Sequence, residues 1–289
     1  MLTSDSSNDN ALLVFDDVWV HSNRPTTIHV NHTDDNIFKD ASKTTVNSAS
    51  KNLFSNASHS IFNKLTRKTA DRTHNQQVTD EQVLIKAASG QLAQGQLTVL
   101  TGASGSGKSV LLRVLAGLSP LATGNIWLNV DKNQQQNIHE TSAIEWRTQV
   151  ALLAQHPQLI EGSVLDNLQL PYSLHANQHS SFNIDWHIKQ LGFLQRSQAF
   201  LQQSAAHLSG GERQLVNTLR LLQLQPQVLL LDEPTAALDA ETANNLIQLL
   251  MHWLQAEPHR AMLWVTHDTQ TILPFANEHW NMQAGTLNG

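Results

Sequence analysis

Apolar positions in this chain fall into two kinds of segment: short unbroken runs, and longer stretches where they recur every three or four residues. The runs Leu97-Thr-Val-Leu100, Val150-Ala-Leu-Leu-Ala154, 227–232 and 261–266 read as buried strands. Ala11–Val20, Val83–Ala88, Gly124–Val130 and 279–283 read as further strands. Helices are expected at 110–117 and 239–254, and 163–223 is mostly helical in pattern. Ala93-Gln-Gly95-Gln and the Gln/Asn-rich 131–137 read as turns. Strands alternating with helices imply an α/β fold with a mainly parallel sheet. No internal repeat and no sustained heptad interrupts this pattern.

Between about 22 and 78 the pattern lapses into Ser, Thr, Asn, Asp and Lys, which reads as a largely disordered insertion. Within it Leu53, Ala57, Ile61 and Leu65 fall four apart, as in a weak transient helix or a basic arm that meets anionic lipid or a partner. Residues 1–10 are polar and expected to be flexible, so the folded domain spans 11–289 around the insertion.

Charge and composition narrow the function classes. Between His21 and Asp80 eight Lys/Arg face five Asp, a net +3, so the overall −6 leaves −9 on the rest. Such an acidic body argues against nucleic acid as a partner. The absence of cysteine excludes disulfides, thiolate metal sites and thiol nucleophiles. The first ten residues lack a basic and an apolar region, so no secretory signal is expected. No apolar run approaches the ~18 residues of a membrane span, so any tie to a membrane runs through a partner.

The chemistry concentrates at Thr101-Gly-Ala-Ser-Gly-Ser-Gly-Lys-Ser109, between a strand and a helix. Gly102, Gly107, Lys108 and Ser109 fit G-x-x-x-x-G-K-[ST], with Ala103, Ser104, Gly105, Ser106 and Val110 completing the loop and helix start. Its N–H groups can cradle phosphates, Lys108 can neutralise them, and the Ser109 hydroxyl suits Mg²⁺. The run Pro226-Gln-Val-Leu-Leu-Leu-Asp232-Glu233 is a buried strand ending in two carboxylates. Alone it could be an acidic turn. Beside a phosphate loop, Asp232 suits the Mg²⁺ shell and Glu233 a general base for the water attacking a γ-phosphate. Ser209-Gly210-Gly211-Glu212 predicts a capping box at the start of a helix running to about Leu222, and hence a second anion site.

Together Leu208-Ser-Gly-Gly-Glu212, the loop at 102–109 and Leu-Leu-Leu-Asp-Glu-Pro at 229–234 resemble the ATP-binding cassette ATPases, over about 82–284 plus the strand at 11–20. The resemblance implies a P-loop NTPase fold: a mainly parallel core, an N-terminal antiparallel β part and a helical lobe at about 158–223. It implies ATP and Mg²⁺ as ligands, and two copies paired head to tail, the signature of each closing on the other's ATP. Gln155 matches the glutamine that reaches Mg²⁺ and the attacking water, Asp239 the aspartate that communicates across the dimer, and His267 the histidine at the γ-phosphate. Cassettes also stack adenine on an aromatic residue after the first strand. Trp19 and His21 are nearby, but the insertion begins there.

The phrasing of Ala154–Pro171 and Ala261–Asp268 is similar to the bacterial FetA/FetB type of iron-export ATPase. The resemblance implies an integral membrane permease docked on the helical lobe, with the chain on the cytoplasmic face of the bacterial inner membrane. A soluble, non-transport cassette ATPase and a transporter subunit for another solute, imported or exported, are the alternatives.

Overall fold

The computed structural model describes residues 10–22, 82–131, 134–177 and 179–289. The expected flexible N-terminus up to residue 9, most of the 22–78 insertion and its Leu53/Ala57/Ile61/Leu65 face lie outside the described residues. The chain runs through β1 (Ala11–His21), β2 (Val83–Ala93) and β3 (Leu97–Thr101) to α1 (Lys108–Leu115). Strands β4 (Thr123–Asp131) and β5 (Gln134–Asn137), helix α2 (Ala143–Gln149) and strand β6 (Val150–Leu153) follow. Next come α3 (Val164–Gln169), α4 (Ile184–Phe193) and α5 (Gly210–Leu222), joined by 3₁₀ turns. Strand β7 (Val228–Asp232), α6 (Ala240–Ala256), β8 (Ala261–Val265), α7 (Thr269–Ile272), β9 (Glu278–Gln283) and β10 (Thr286–Asn288) complete it.

Two sheets result. The antiparallel one has the order β2-β1-β4-β5, and the six-stranded one β10-β9-β3-β8-β7-β6, parallel except for the terminal β10 hairpin. The parallel strands read as uniform apolar runs because helices and the second sheet cover both faces: every residue of β3 and β8 is buried. One core lies under α5 and α6 and holds Leu215, Leu219, Leu250 and Trp264. The other lies between α1 and the antiparallel sheet and holds Leu111, Leu112, Phe15 and Ile126. The α1 end is pinned from α2, where the Trp146 indole donates to the Leu115 carbonyl at 2.9 Å and Arg147 Nη2 to that of Gly117 at 2.6 Å.

The reading of 131–137 as a turn is corrected. Gln134–Asn137 forms edge strand β5, Leu128 opposite Gln136 and Trp127 opposite Asn137. An edge strand facing solvent needs no apolar face, and here the amides satisfy one another: Gln135 Nε2 donates to Asn129 Oδ1 at 3.0 Å and Gln149 Nε2 to Gln136 Oε1 at 2.8 Å. What the fold positions is the C-terminal edge of the parallel sheet. The ends of β3, β6, β7 and β8 lie side by side there, delivering Thr101, the Gln155 segment, Asp232 and His267 to one crevice.

Candidate functional site

The loop after β3 bends back under α1. A Cβ on Gly102, at φ 143°, would stand 2.2 Å from the Met282 carbonyl oxygen, so only glycine fits against β9. The N-cap of α1 is Gly107, without a capping side chain, so no side chain competes for the first N–H groups of the helix. Lys108 is buried and its ammonium donates to the carbonyls of Gly102 at 2.8 Å and Ala103 at 3.0 Å. Burial lowers its pKa, while Glu233 and Asp232 oppose that fall.

Asp232 ends β7 within hydrogen-bond reach of the Ser109 hydroxyl. Burial raises its pKa, and Glu233 adds to the rise; the Ser109 bond, Lys108 and His156 work against it. Glu233 turns out of the strand in the left-handed region, at φ 49°, its N–H held by the Val265 carbonyl at 3.0 Å. That conformation costs a non-glycine residue about 1–3 kcal/mol. It aims the carboxylate across the sheet edge, where Gln155 Nε2 donates to Oε2 at 3.0 Å and His267 Nε2 lies 3.1 Å from Oε1.

Gln155, Glu233 and His267 share a cleft of about 560 Å³ with Gly105, Gly107, Lys108, Ser109 and Val110. Its other wall is Gln82, Val83, Leu84 and Lys86 with Ala284 and Gly285. Ala103 and Ser106 line the adjoining face of the loop with Gly102 and Asn281, and Ser104 lines both. Neither Trp19 nor His21 lines the cleft; the Trp19 indole donates to Asp17 Oδ1 at 2.8 Å. The donor set fits a hydrated Mg²⁺ beside phosphates: the Ser109 hydroxyl, a carboxylate that burial leaves reluctant to ionise without a cation, and the Gln155 amide oxygen.

The signature residues are elsewhere. Ser209 caps α5, accepting from Glu212 N–H at 3.2 Å while Glu212 Oε2 accepts from Ser209 N–H at 2.9 Å, which completes the capping box. Gly211 packs against the turn before α6: a Cβ there would stand 2.8 Å from Leu238 Cδ2 and 3.1 Å from the Ala237 carbonyl oxygen. None of Ser209, Gly210, Gly211 and Glu212 lines the phosphate-loop cleft, and neither does Asp239. Asp239 is the N-cap of α6, accepting from Thr242 N–H at 2.9 Å and the Thr242 hydroxyl at 2.8 Å, which lowers its pKa. The Asp-x-x-Thr spacing could have shown this from sequence. No sequence signal pointed to His156, whose ring lies close enough to favour the ionised form of Asp232.

The profile of the family described as ABC transporter matches residues 85–236. A protein of Escherichia coli (strain K12) named "Probable iron export ATP-binding protein FetA" is 34% identical over 184 residues, which cover 63% of this chain and 76% of the relative. The "Lipoprotein-releasing system ATP-binding protein LolD" of Acinetobacter baylyi is 36% identical over 207 residues, 70% of this chain and 87% of the relative. Among solved structures, the ATP-binding cassette MJ0796 in a dimeric post-hydrolysis state bound to ADP and Pi aligns with a TM-score of 0.63 at 23% identity. That alignment covers 73% of this chain and 90% of that one, and shows a shared fold.

Proposed function

Because this chain belongs to the ABC transporter ATP-binding family and is by that membership an ATPase subunit, we propose that Glu233 is the general base of ATP hydrolysis at the cleft of the phosphate loop. The observation that carries this is the placement of one carboxylate between Gln155 and His267, beside Lys108 and the Ser109–Asp232 pair. The loop and the start of α1 bind the phosphates through N–H groups, and Lys108 exchanges its bonds to the Gly102 and Ala103 carbonyls for phosphate oxygens. Gln155 and His267 orient the Glu233 carboxylate toward a water at the γ-phosphate, and Glu233 takes its proton. Ser109, Asp232 and Gln155 would hold Mg²⁺, which when bound neutralises charge on the phosphate oxygens.

The second anion site, at Ser209–Glu212, does not open on this cleft, and we read it as serving the nucleotide of a second copy. Pairing two copies about a two-fold axis uses both sites of each. Glu233→Gln should bind ATP with near-native affinity, hydrolyse it about 10²–10⁴-fold more slowly and accumulate as a dimer on sizing in ATP. Undiminished turnover would remove Glu233 as the base.

The membrane partner of this reading is a separate permease. No described helix is long and apolar enough to cross a membrane. Exposed Leu118 and Ile144 flank a cleft of about 350 Å³ lined by Ile138, Trp146 and Arg147, and α2 touches the turn His175–Asn177 beside exposed Leu174. A permease helix docked there would read the lobe that follows Gln155, from the cytoplasmic face of the bacterial inner membrane. We propose iron, or a related metal ion, as the cargo. The support is the likeness of residues 154–171 and 261–268 to the FetA type and the FetA relative itself. The LolD relative, of similar identity, makes lipoprotein release the rival. A knockout strain scanned against iron, manganese, zinc and cobalt decides: heightened sensitivity to one metal supports export, while unchanged metal tolerance with retained lipoproteins supports the rival.

A further inference from the structure

One buried histidine serves neither the cleft nor the signature. His187, on α4, has no solvent exposure. Its ring stacks on Phe182 with centroids 4.5 Å apart and meets Trp186 edge-on at 4.8 Å. Nδ1 lies 2.7 Å from the Asn183 carbonyl oxygen. A carbonyl only accepts, so Nδ1 carries the hydrogen and the Nε2 of the neutral ring is a bare lone pair. That Nε2 is buried without a partner.

The polar side chain within reach of the ring is Gln223, the C-cap of α5. Its Nε2 donates to the carbonyls of Leu168 on α3 at 2.8 Å and Arg220 at 3.2 Å. Two carbonyl acceptors fix the amide, so Gln223 Oε1 is also buried without a partner. Two acceptors therefore meet where α3, α4 and α5 converge. Helix α3 continues the segment that begins at Gln155, and α5 starts at the signature.

Among the described residues, no acidic side chain on the elements around the ring is engaged with it. Asp185 and Lys189 on α4 are exposed to solvent. Asp166 on α3 accepts from Ser163 N–H at 2.7 Å. Arg220 on α5 donates to Asn217 Oδ1 at 2.6 Å and to the Gln158 carbonyl at 2.9 Å. Tyr172 packs edge-on against Phe182, and His252 on α6 stacks on Phe193 at the other end of α4. A proton on Nε2 would give Gln223 Oε1 its donor but would put a charge on a ring with no exposure to solvent. Burial is the larger effect and lowers the pKa of the ring, against smaller opposing contributions from Asn183 and Gln223.

We propose that His187 is an acid-sensitive joint of the helical lobe: neutral, it lets α4 seat against α3 and the end of the signature helix, and protonated, it releases α4. The seated ring takes up a proton less readily than a ring in water. Seating is therefore complete above about pH 6.5 and weakens as pH falls from there toward the lower pKa of the seated ring. The seating equilibrium shifts by at most about tenfold per pH unit in that window.

The test compares the full chain with His187→Phe, which keeps a ring that cannot titrate, and with His187→Gln, whose neutral amide can donate to Gln223. Thermal unfolding is followed between about pH 7.5 and 5.5, where unperturbed histidines titrate. The wild type should lose stability on acidification that both variants keep; the other histidines cancel in the difference. Amide exchange, corrected for its intrinsic pH dependence, should quicken in 184–193 and 216–223 in the wild type alone. Parallel stability curves, or exchange that quickens equally in the variants, would overturn the proposal. If His187→Phe fails to fold, His187→Gln and direct NMR titration of the wild-type ring decide, and a value at or above 6.5 overturns it. None of these readouts depends on ATP, so failure here leaves the hydrolytic reading untouched.

Discussion

The cleft of the phosphate loop and the start of α5 each hold a helix N-terminus, yet the two are built in opposite ways. At the cleft, six separate segments converge, Glu233 sits at a strained φ of 49°, and α1 starts without a capping side chain. At the signature, Ser209 and Glu212 cap each other, and Asp239 is taken up by Thr242. The capping box engages the N–H groups of Ser209 and Glu212 and not those of Gly210 and Gly211. Strain and uncapped groups gather where bonds are to be broken, while the second region holds its own shape and has only backbone to present.

This contrast is broken most severely at Lys108. Lys108→Ala removes the ammonium of the phosphate loop and leaves the signature untouched. Charge-assisted hydrogen bonds are worth about 1.5–3 kcal/mol, so ATP affinity by calorimetry should fall by about ten- to over a hundredfold, and turnover with it. Normal affinity in this variant would remove the loop from the site.

Gly211→Ala tests the other side. The added methyl meets Leu238 and the Ala237 carbonyl, and overpacking of this kind costs about 1–3 kcal/mol. Nucleotide binding to the monomer should stay native, whereas ATP-dependent pairing and turnover should drop by about five- to a hundredfold. Equal loss of monomer affinity and turnover would mean that the signature acts within its own chain.

The same contrast explains what was legible in sequence. The phosphate loop and the Asp232-Glu233 pair could be read because each requirement sits within a few residues: glycine where a Cβ would hit Met282, carboxylates at the end of an apolar strand. The capping box of Ser209 and Glu212 was legible for the same reason. Gln155 and His267 came only through a family resemblance. What makes them partners is the adjacency of β6, β7 and β8, which no local pattern records. Strand β5 was misread because an edge strand of mutually bonded amides has no apolar alternation. Neither Trp19 nor His21 lines the cleft, and the lone pairs of His187 and Gln223 meet only once three helices have packed.

The smallest expected effect tests whether Asp239 does more than cap α6. As the N-cap of α6 its carboxylate holds Thr242 through both oxygens, and these bonds lower its pKa. If that were its whole contribution, Asp239→Ser, which can still cap, would restore everything that Asp239→Ala loses. If the carboxylate also speaks to the second copy, serine would restore thermal stability but not the dependence of turnover on a paired subunit. We expect the second outcome: a small drop in Tm for alanine alone, and turnover reduced severalfold for both variants at saturating ATP. Full recovery of turnover in the serine variant would assign Asp239 to the helix end and to nothing beyond it.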